Sequence, residues 1–355
     1  SATFLAGCLC CKRKKGFQEF SSQKRMPALN PRPAAFTDAL TKGISVQAWF
    51  QEPQDDFPRQ QLHYLRECGR GWFGRVVEGE ARGILPNGRT SRVIVRILRE
   101  GASDSEQKFF LHEARPYMEL SHPNILRLLG RCLENDPFLL LFEACNGGDL
   151  KSWLSQNIAS RETLTQQGIT LRMAADIATG LAHMNHHGFV HTDLAARNVL
   201  VTSDLRIKVG DYGTSFETFK DDYYCLDVVA LPIRWCAPES LLCTDTTIET
   251  KEVTAPANVW SFGVVLWEIC EFGKLPYTNL SDDQVIVQVL GSEKVRLPEP
   301  SFPSPFKNHL YYLMQLCWRN HKERPSISHI LSITPKPMPS PVASLLEVIS
   351  VFTPV

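Results

Sequence analysis

Long hydrophobic runs are scarce in this 355-residue chain. None approaches the roughly 20 apolar residues that span a bilayer as a helix. The most apolar start, residues 2–11 (ATFLAGCLCC), stops at Lys12-Arg13-Lys14-Lys15. Net charge is absent too: 38 basic residues face 38 acidic ones, so no overall field favours nucleic acid, and no nucleic-acid partner is expected. No segment recurs at a period of 20–50 residues, which excludes a repeat array. Cysteines number 11, but only Cys8, Cys10 and Cys11 lie close together; Cys68, Cys132, Cys145, Cys225, Cys236, Cys243, Cys270 and Cys317 are scattered. With no second pair, no zinc site is expected. Scattered cysteines of this kind fit a reducing compartment. What remains, 43% hydrophobic and 21% charged, is the composition of a globular chain with one large core or two lobes.

The apolar start and its basic flank read as the end of a transmembrane segment and its cytoplasmic stop, over residues 1–15. Each Lys or Arg near anionic lipid contributes about 1 kcal/mol, and Cys8, Cys10 and Cys11 sit where juxtamembrane acylation occurs. A membrane, met by a single span or by acyl chains, is therefore an expected partner, with the rest of the chain cytoplasmic. A processed signal remnant is the alternative. Residues 16–61, with Asn30-Pro31-Arg32-Pro33, read as a flexible linker. Patterned sequence fills 62–333. The run Pro335-Lys336-Pro337-Met338-Pro339-Ser340-Pro341 opens a Pro-rich tail over 334–355. No signal for an oligomeric state is visible.

The patterned region begins with strands. Arg75–Gly79 and Arg92–Leu98 are β-branched runs, and Asn87-Gly88 between them signals a hairpin turn. A helix follows, with Ser103 and Glu106 as a capping box and Phe109, Glu113 and Tyr117 on one face. Phe138–Phe142 is another apolar strand, and helical patterns follow at about 169–187, 257–272 and 307–319. A strand-rich small lobe and a helical large lobe, with the chemistry between them, is the expected architecture.

Gly69-x-Gly71-x-x-Gly74-x-Val76 runs into a strand, not a helix. That context suits a glycine loop folded over ATP phosphates and argues against a dinucleotide-binding turn. Alternation in 92–98 puts Ile94, Arg96 and Leu98 on one face, leaving Arg96 charged among apolar neighbours. Glu113, on an inward helical face, needs a cation. An Arg96–Glu113 ion pair is therefore expected. From His191 to Gly213, two carboxylates and an amide stand at the spacing of one base and two magnesium ligands. Asp193 would accept or orient a substrate hydroxyl, while Asn198 and Asp211 would hold Mg2+ bridging the ATP phosphates. His191 reads as a packed backbone support.

The catalytic-loop ending Ala195-Ala196-Arg197-Asn198, with Leu231-Pro232-Ile233-Arg234-Trp235 before Ala237-Pro238-Glu239, resembles the tyrosine-kinase branch of the eukaryotic protein kinases. GRGWFG, Asp211-Tyr212-Gly213 in place of Asp-Phe-Gly, a non-arginine after His191, and Asn258-Val259-Trp260-Ser261 resemble the membrane-anchored lemur tyrosine kinases in particular. The resemblance covers about residues 62–333. It implies an α+β, bilobal kinase fold, with one regulatory helix in the β-rich lobe. It implies a catalytic set of Asp193, Arg197, Arg96 and Glu113, and phosphoryl transfer from ATP to a protein hydroxyl, of tyrosine or of serine and threonine. It further implies an adenine hinge over Glu143–Cys145, Phe142 as gatekeeper, Val76 above and Leu200 below the adenine with Ile94 against it, and a Glu239–Arg324 pair.

Several positions depart from the pattern. Arg96 stands for a lysine, and a planar guanidinium does not copy a compact ammonium aimed at the α- and β-phosphates. Ile94 replaces a common alanine. Thr192 replaces the arginine that clamps a phosphorylated activation loop, so Tyr223 and Tyr224 are expected to lack the usual ordering response. Asn258 replaces an aspartate. These departures keep an alternative open, a pseudokinase scaffold with little or no phosphotransfer. Arg96→Lys is predicted to raise phosphotransfer in a labelled-ATP assay; a fall in both rate and ATP affinity would make Arg96 an adapted ligand instead.

Overall fold

Period-two alternation builds the first lobe. The computed structural model describes residues 2–5, 32–33, 56–226, 229–243, 247–302 and 304–335. Strands β1 (Leu62–Gly71), β2 (Gly74–Arg82), β3 (Thr90–Leu98), β4 (Leu128–Cys132) and β5 (Leu139–Glu143) form one antiparallel sheet in the order β1-β2-β3-β5-β4. The β1–β2 hairpin closes at Gly71 opposite Gly74. A Cβ on Gly74 would lie 2.4 Å from the Ile97 carbonyl, so only glycine lets this turn approach β3. In β3, Val93, Val95 and Ile97 pack with Val77 and Leu141 on one face. Ile94 and Leu98 face the other way, with Val76, Leu140 and Phe142. Arg96 points among this second set, 4% exposed.

Helix α1 (Asp104–Glu119) starts at Ser103, and both hydrogen bonds of the expected Ser103/Glu106 capping box are present. Phe109 and Tyr117 are buried beneath the sheet lobe's core face, and Glu113 is half-buried between them.

The second lobe is helical: α2 (Leu150–Gln156), α3 (Arg161–Gln166), α4 (Ile169–His186), α5 (Ser215–Thr218), α6 (Ala255–Cys270), α7 (Asp282–Gln284, running on as the π-helical turn Val285–Gly291), α8 (Lys307–Cys317) and α9 (Ile327–Ile333). The expected helices at 169, 257 and 307 are α4, α6 and α8. Short antiparallel pairs decorate this lobe: β6 (Val199–Val201) with β7 (Ile207–Val209), β8 (Tyr224–Leu226) with β9 (Val229–Leu231), and β10 (Leu241–Cys243) with β11 (Thr247–Thr250). Arg32–Pro33 runs parallel to β9, and Ala2–Leu5 runs antiparallel to β11. The basic cluster and most of the 1–15, 16–61 and 334–355 segments lie outside the described residues. Among those described, no helix is long and apolar enough to cross a membrane.

Helix α6 is apolar on all sides and buried from Ala257 to Ile269, as a central core helix must be. Two polar side chains on it hold the loop that carries the expected chemistry. Asn258 accepts from the His191 N–H at 2.8 Å and donates to the His191 carbonyl at 2.7 Å. An aspartate could make only the first of these, so the asparagine is a fitted substitute. Glu268 accepts from the Ala196 N–H at 3.0 Å and the Trp235 indole at 2.8 Å. Burial pushes its carboxyl from 4.5 up to about 7, against the pull of Lys151, these two N–H groups and Arg197. A carboxyl raised on folding holds its proton in the native state after the unfolded chain has lost it. Its contribution is therefore complete below pH 4.5 and lost as pH rises to about 7. Over that window the loss is on the order of 3 kcal/mol. Urea denaturation from pH 4.5 to 8 should show stability falling and then levelling, and Glu268→Gln should reduce the fall without abolishing it, because Glu113 is raised over the same range; parallel curves for the two proteins would disprove the assignment.

Candidate active site

The β6–β7 pair brings the two ends of the motif together. Val199 opposes Val209, and the Gly210 N–H donates to the Asn198 carbonyl at 3.3 Å, so Asn198 before β6 and Asp211 after β7 lie side by side. Asn198 Nδ2 donates to the Asp193 carbonyl at 2.7 Å and to Asp193 Oδ2 at 2.8 Å. Its Oδ1 accepts from the Ser215 hydroxyl. His191 is buried, and its Nδ1 accepts from the Asp193 N–H at 3.3 Å. Burial pushes its pKa down, so it stays neutral and acts as the backbone support read from the sequence.

Arg197 is the electrostatic centre of this loop. Its side chain has no exposed surface, and it is held between Tyr223 and Trp235, with ring centroids 4.3 and 4.2 Å from the guanidinium carbon. It donates to Asp193 Oδ1 at 2.6 Å, to Asp222 Oδ2 at 3.2 Å and to the Tyr223 hydroxyl at 2.8 Å. Burial works against its charge, but Asp193, Tyr223 and Asp222 hold its pKa above the ordinary value. The Tyr223 hydroxyl donates to Asp193 Oδ2 at 2.7 Å. Burial raises the phenol's pKa well above the usual range, so the hydroxyl keeps its proton.

The expected Arg96–Glu113 ion pair is not formed. Arg96 Nη2 donates to the Asp211 carbonyl and lies 3.5 Å from Asp211 Oδ1. The guanidinium sits over Phe142 at 4.9 Å and Phe73 at 5.6 Å. Glu113 instead accepts from the Trp72 indole at 2.8 Å. The reason is geometric and electrostatic. A planar cation is held by two aromatic faces that direct it toward Asp211, and burial pushes the Glu113 carboxyl up to about 7 despite the nearby Arg96.

At the segment expected to form the hinge, the Tyr212 hydroxyl donates to the Glu143 carbonyl at 2.8 Å and accepts from the Cys145 N–H at 3.0 Å. Along the glycine loop, the Arg70 N–H donates to Glu217 at 2.6 Å. A Cβ on Gly69 would meet Glu217 at 3.0 Å, and one on Gly71 would meet the Gly213 carbonyl at 2.6 Å. The loop thus lies against the segment after Asp211. Val76, Ile94, Leu200 and Phe142 are all buried in the adjoining core. Glu239 and Arg324 pair as expected, at 2.5 and 3.2 Å.

Sequence reasoning missed Trp72, Glu217, Lys151 and Asp222. Lys151 donates to both oxygens of Asp222, 71 residues away. Asp222 carried one signal, an acid directly before the paired tyrosines. Tyr212 enters the sequence reading only through Asp211-Tyr212-Gly213 as part of the family resemblance, not as a partner of Glu143 and Cys145.

Comparison with known proteins agrees with this geometry. Residues 62–333 match the protein tyrosine and serine/threonine kinase family. The chain is 38% identical to the mouse serine/threonine-protein kinase LMTK3 over 92% of its own length and 24% of that protein's. It is 35% identical to human serine/threonine-protein kinase LMTK1 over 92% of the chain and 25% of the relative. It is also 36% identical to the Xenopus laevis insulin receptor over 88% of the chain and 22% of that receptor. The chain therefore spans about a quarter of the length of these relatives. With both lobes, the paired catalytic loop and the Glu239–Arg324 brace in place, this chain belongs to the family of protein tyrosine and serine/threonine kinases.

Proposed function

We propose that the chain is an ATP-dependent kinase domain that phosphorylates protein tyrosine hydroxyls, held at the cytoplasmic side of a membrane by its N-terminal segment. The observation that carries this reading is the Tyr223 hydroxyl donating to Asp193 Oδ2 at 2.7 Å. A protonated phenol within hydrogen-bond reach of a carboxylate is the arrangement a general base needs. The chain's own tyrosine thus stands in for a substrate tyrosine.

Each residue then has a role in this reading. Asp193 orients the acceptor hydroxyl and takes its proton. Arg197 and Asn198 hold Asp193 from two sides. The carboxylate of Asp211 and the amide oxygen of Asn198 are hard oxygen donors that fit Mg2+. The hinge carbonyl and N–H of Glu143 and Cys145 fit adenine, because they already accept and donate to an aromatic ring's polar edge. ATP and Mg2+, when bound, supply the phosphoryl group and neutralise its developing charge. Gly69, Gly71 and Gly74 let the loop backbone approach phosphates. The basic run Lys12–Lys15 supports the membrane anchor.

Two observations favour other readings. The relatives LMTK3 and LMTK1 bear serine/threonine kinase names, which favours a serine or threonine acceptor. Arg96 on Asp211 favours a scaffold without phosphotransfer, since it engages a metal ligand. One assay separates all three: labelled ATP with tyrosine and serine/threonine peptides, followed by phosphoamino-acid analysis, on the unsubstituted chain and on Asp193→Asn. Phosphotyrosine that falls about 10²–10⁴-fold in the variant is expected; phosphoserine or phosphothreonine would reassign the acceptor, and equal signal from both proteins would favour the scaffold.

A further inference from the structure

We propose that His183 and His187, one turn apart at the end of α4, form a chelating pair for a divalent transition-metal ion of the Ni2+ or Cu2+ class, distinct from the proposed Mg2+ ligands Asn198 and Asp211. His183 lies in the last turn of α4 and His187 is its C-cap. A spacing of four puts both side chains on one face of the helix. Their ring centroids are 4.3 Å apart and the ring planes are inclined at 43°. Two metal–imidazole bonds of about 2.0–2.1 Å at a right angle would place the ring centres about 4.5 Å apart, and at a tetrahedral angle about 5.2 Å apart. The observed separation is nearest the right angle, which belongs to square-planar and tetragonal ions rather than to zinc.

The hydrogen bonds place the ring protons to suit an ion. His187 Nδ1 lies 2.9 Å from the His183 carbonyl. A carbonyl only accepts, so in the neutral ring the proton is on Nδ1 and Nε2 keeps its lone pair. Metal-bound histidines are commonly oriented by such a bond to a backbone carbonyl. The His183 ring makes no side-chain hydrogen bond among the described residues; its neighbours are the His122 and His187 rings. His122, on the turn after α1, stacks on it at 4.7 Å and 25°. The His122 Nδ1 accepts from the Asn124 N–H at 3.1 Å, which puts its proton on Nε2 and makes it a wall, not a ligand. His186 meets His187 edge-on, at 5.1 Å and 83°. Among the described residues no three His, Cys, Asp or Glu side chains are placed to share an ion, so two imidazoles and water make up the shell. Ni2+ and Cu2+ hold nitrogen donors in such a shell more strongly than the earlier first-row divalent ions. The carbonyls at the C-terminus of α4 carry the negative end of the helix dipole, which also favours a cation there.

The test is calorimetric titration of the full chain with NiCl2, in excess MgCl2 so that sites built from oxygen donors are filled, beside His183→Gln, His187→Gln and His186→Gln. One Ni2+ per chain should depend on the pair. Its binding should weaken at least about tenfold in either of the first two variants, because a lone imidazole loses the effective concentration of the second, and should be unchanged in His186→Gln. The thiols, Cys8, Cys10 and Cys11 among them, are common to all four proteins, so equal titrations throughout would place the ion on them and overturn the proposal. No binding by the unsubstituted chain would overturn it, as would a loss in His186→Gln as large as in the pair. A His187-dependent site tighter for ZnCl2 than for NiCl2 would overturn the right-angle assignment. The urea midpoint is a second measure: saturating NiCl2 should raise it in the unsubstituted chain and in neither pair variant, and an equal rise in all four would count against the pair. His183 packs on His122, so if His183→Gln fails to fold, the exposed His187 carries the test.

Discussion

A guanidinium cannot shed its proton when it is buried, so it must be matched by acceptors wherever it is placed. Arg197 has no solvent around it, and its matches are Asp193, Asp222 and the Tyr223 hydroxyl, with Trp235 and Tyr223 on its faces. The catalytic loop and the segment from Lys220 to Trp235 are consequently parts of one electrostatic unit. Removing a partner from a buried ion pair costs about 3–5 kcal/mol. The segment therefore cannot withdraw Asp222 unless another acceptor replaces it. Lys151 extends the unit to α2 by holding Asp222 on its other side, and Glu268 fixes the backbone beneath it through Ala196 and Trp235.

Arg96 obeys the same rule with a different outcome. Its guanidinium lies between the faces of Phe142 and Phe73, and its charge is met by Asp211 rather than Glu113. A lysine has no plane to stack, so the orientation toward Asp211 is a property of the arginine. The arginine thereby sets which carboxylate it meets, separately from how it would meet phosphates. Glu113, released from pairing, receives the indole of Trp72 from the tip of the glycine loop. The glycine loop and α1 are joined by this hydrogen bond in place of the expected strand-to-helix ion pair.

Local rules made much of this legible. Period-two alternation put Ile94, Arg96 and Leu98 on one face, and that face is where the structure has them. The Ser103/Glu106 box, the Asn87-Gly88 turn with Gly88 at φ +67°, and the three long helices follow from short-range chemistry in the same way. Partner choice was not legible. Alternation says that Arg96 points inward, but Glu113 and Asp211 are both carboxylates within its neighbourhood, and the aromatic faces that select one of them come from β5 and the loop at Phe73. Lys151 and Asp222 fail for a related reason: nothing in 71 residues of separation marks them as a pair. Tyr212 was visible as a letter, while its hydroxyl acquires meaning only once β5 and the residues after it supply a carbonyl and an N–H at the right spacing. The apolar and basic N-terminal segment lies mainly outside the described residues, so its reading stands on sequence chemistry alone.

The contacts that fill the site share one origin. Tyr212 on the hinge, Glu217 on the Arg70 N–H and Tyr223 on Asp193 all belong to the stretch from Asp211 to Tyr223, and Arg96 holds its first residue. A hydrogen bond contributes about 0.5–1.5 kcal/mol net between neutral groups, as at Tyr212, and about 1.5–3 kcal/mol where one partner is charged, as at Glu217, Asp193 and Arg96. None is strong enough to close the site alone. Contacts carried on one segment are lost together when the segment moves, so their free energies add within a single closed-to-open equilibrium. A gap of a few kcal/mol between two such states is the range in which a ligand with differential affinity shifts the population. In the proposed kinase, nucleotide at Glu143–Cys145 and an acceptor hydroxyl at Asp193 would each need a position that this segment fills. In the proposed kinase each would therefore favour the open state and make room for the other, although adenine and acceptor meet different residues.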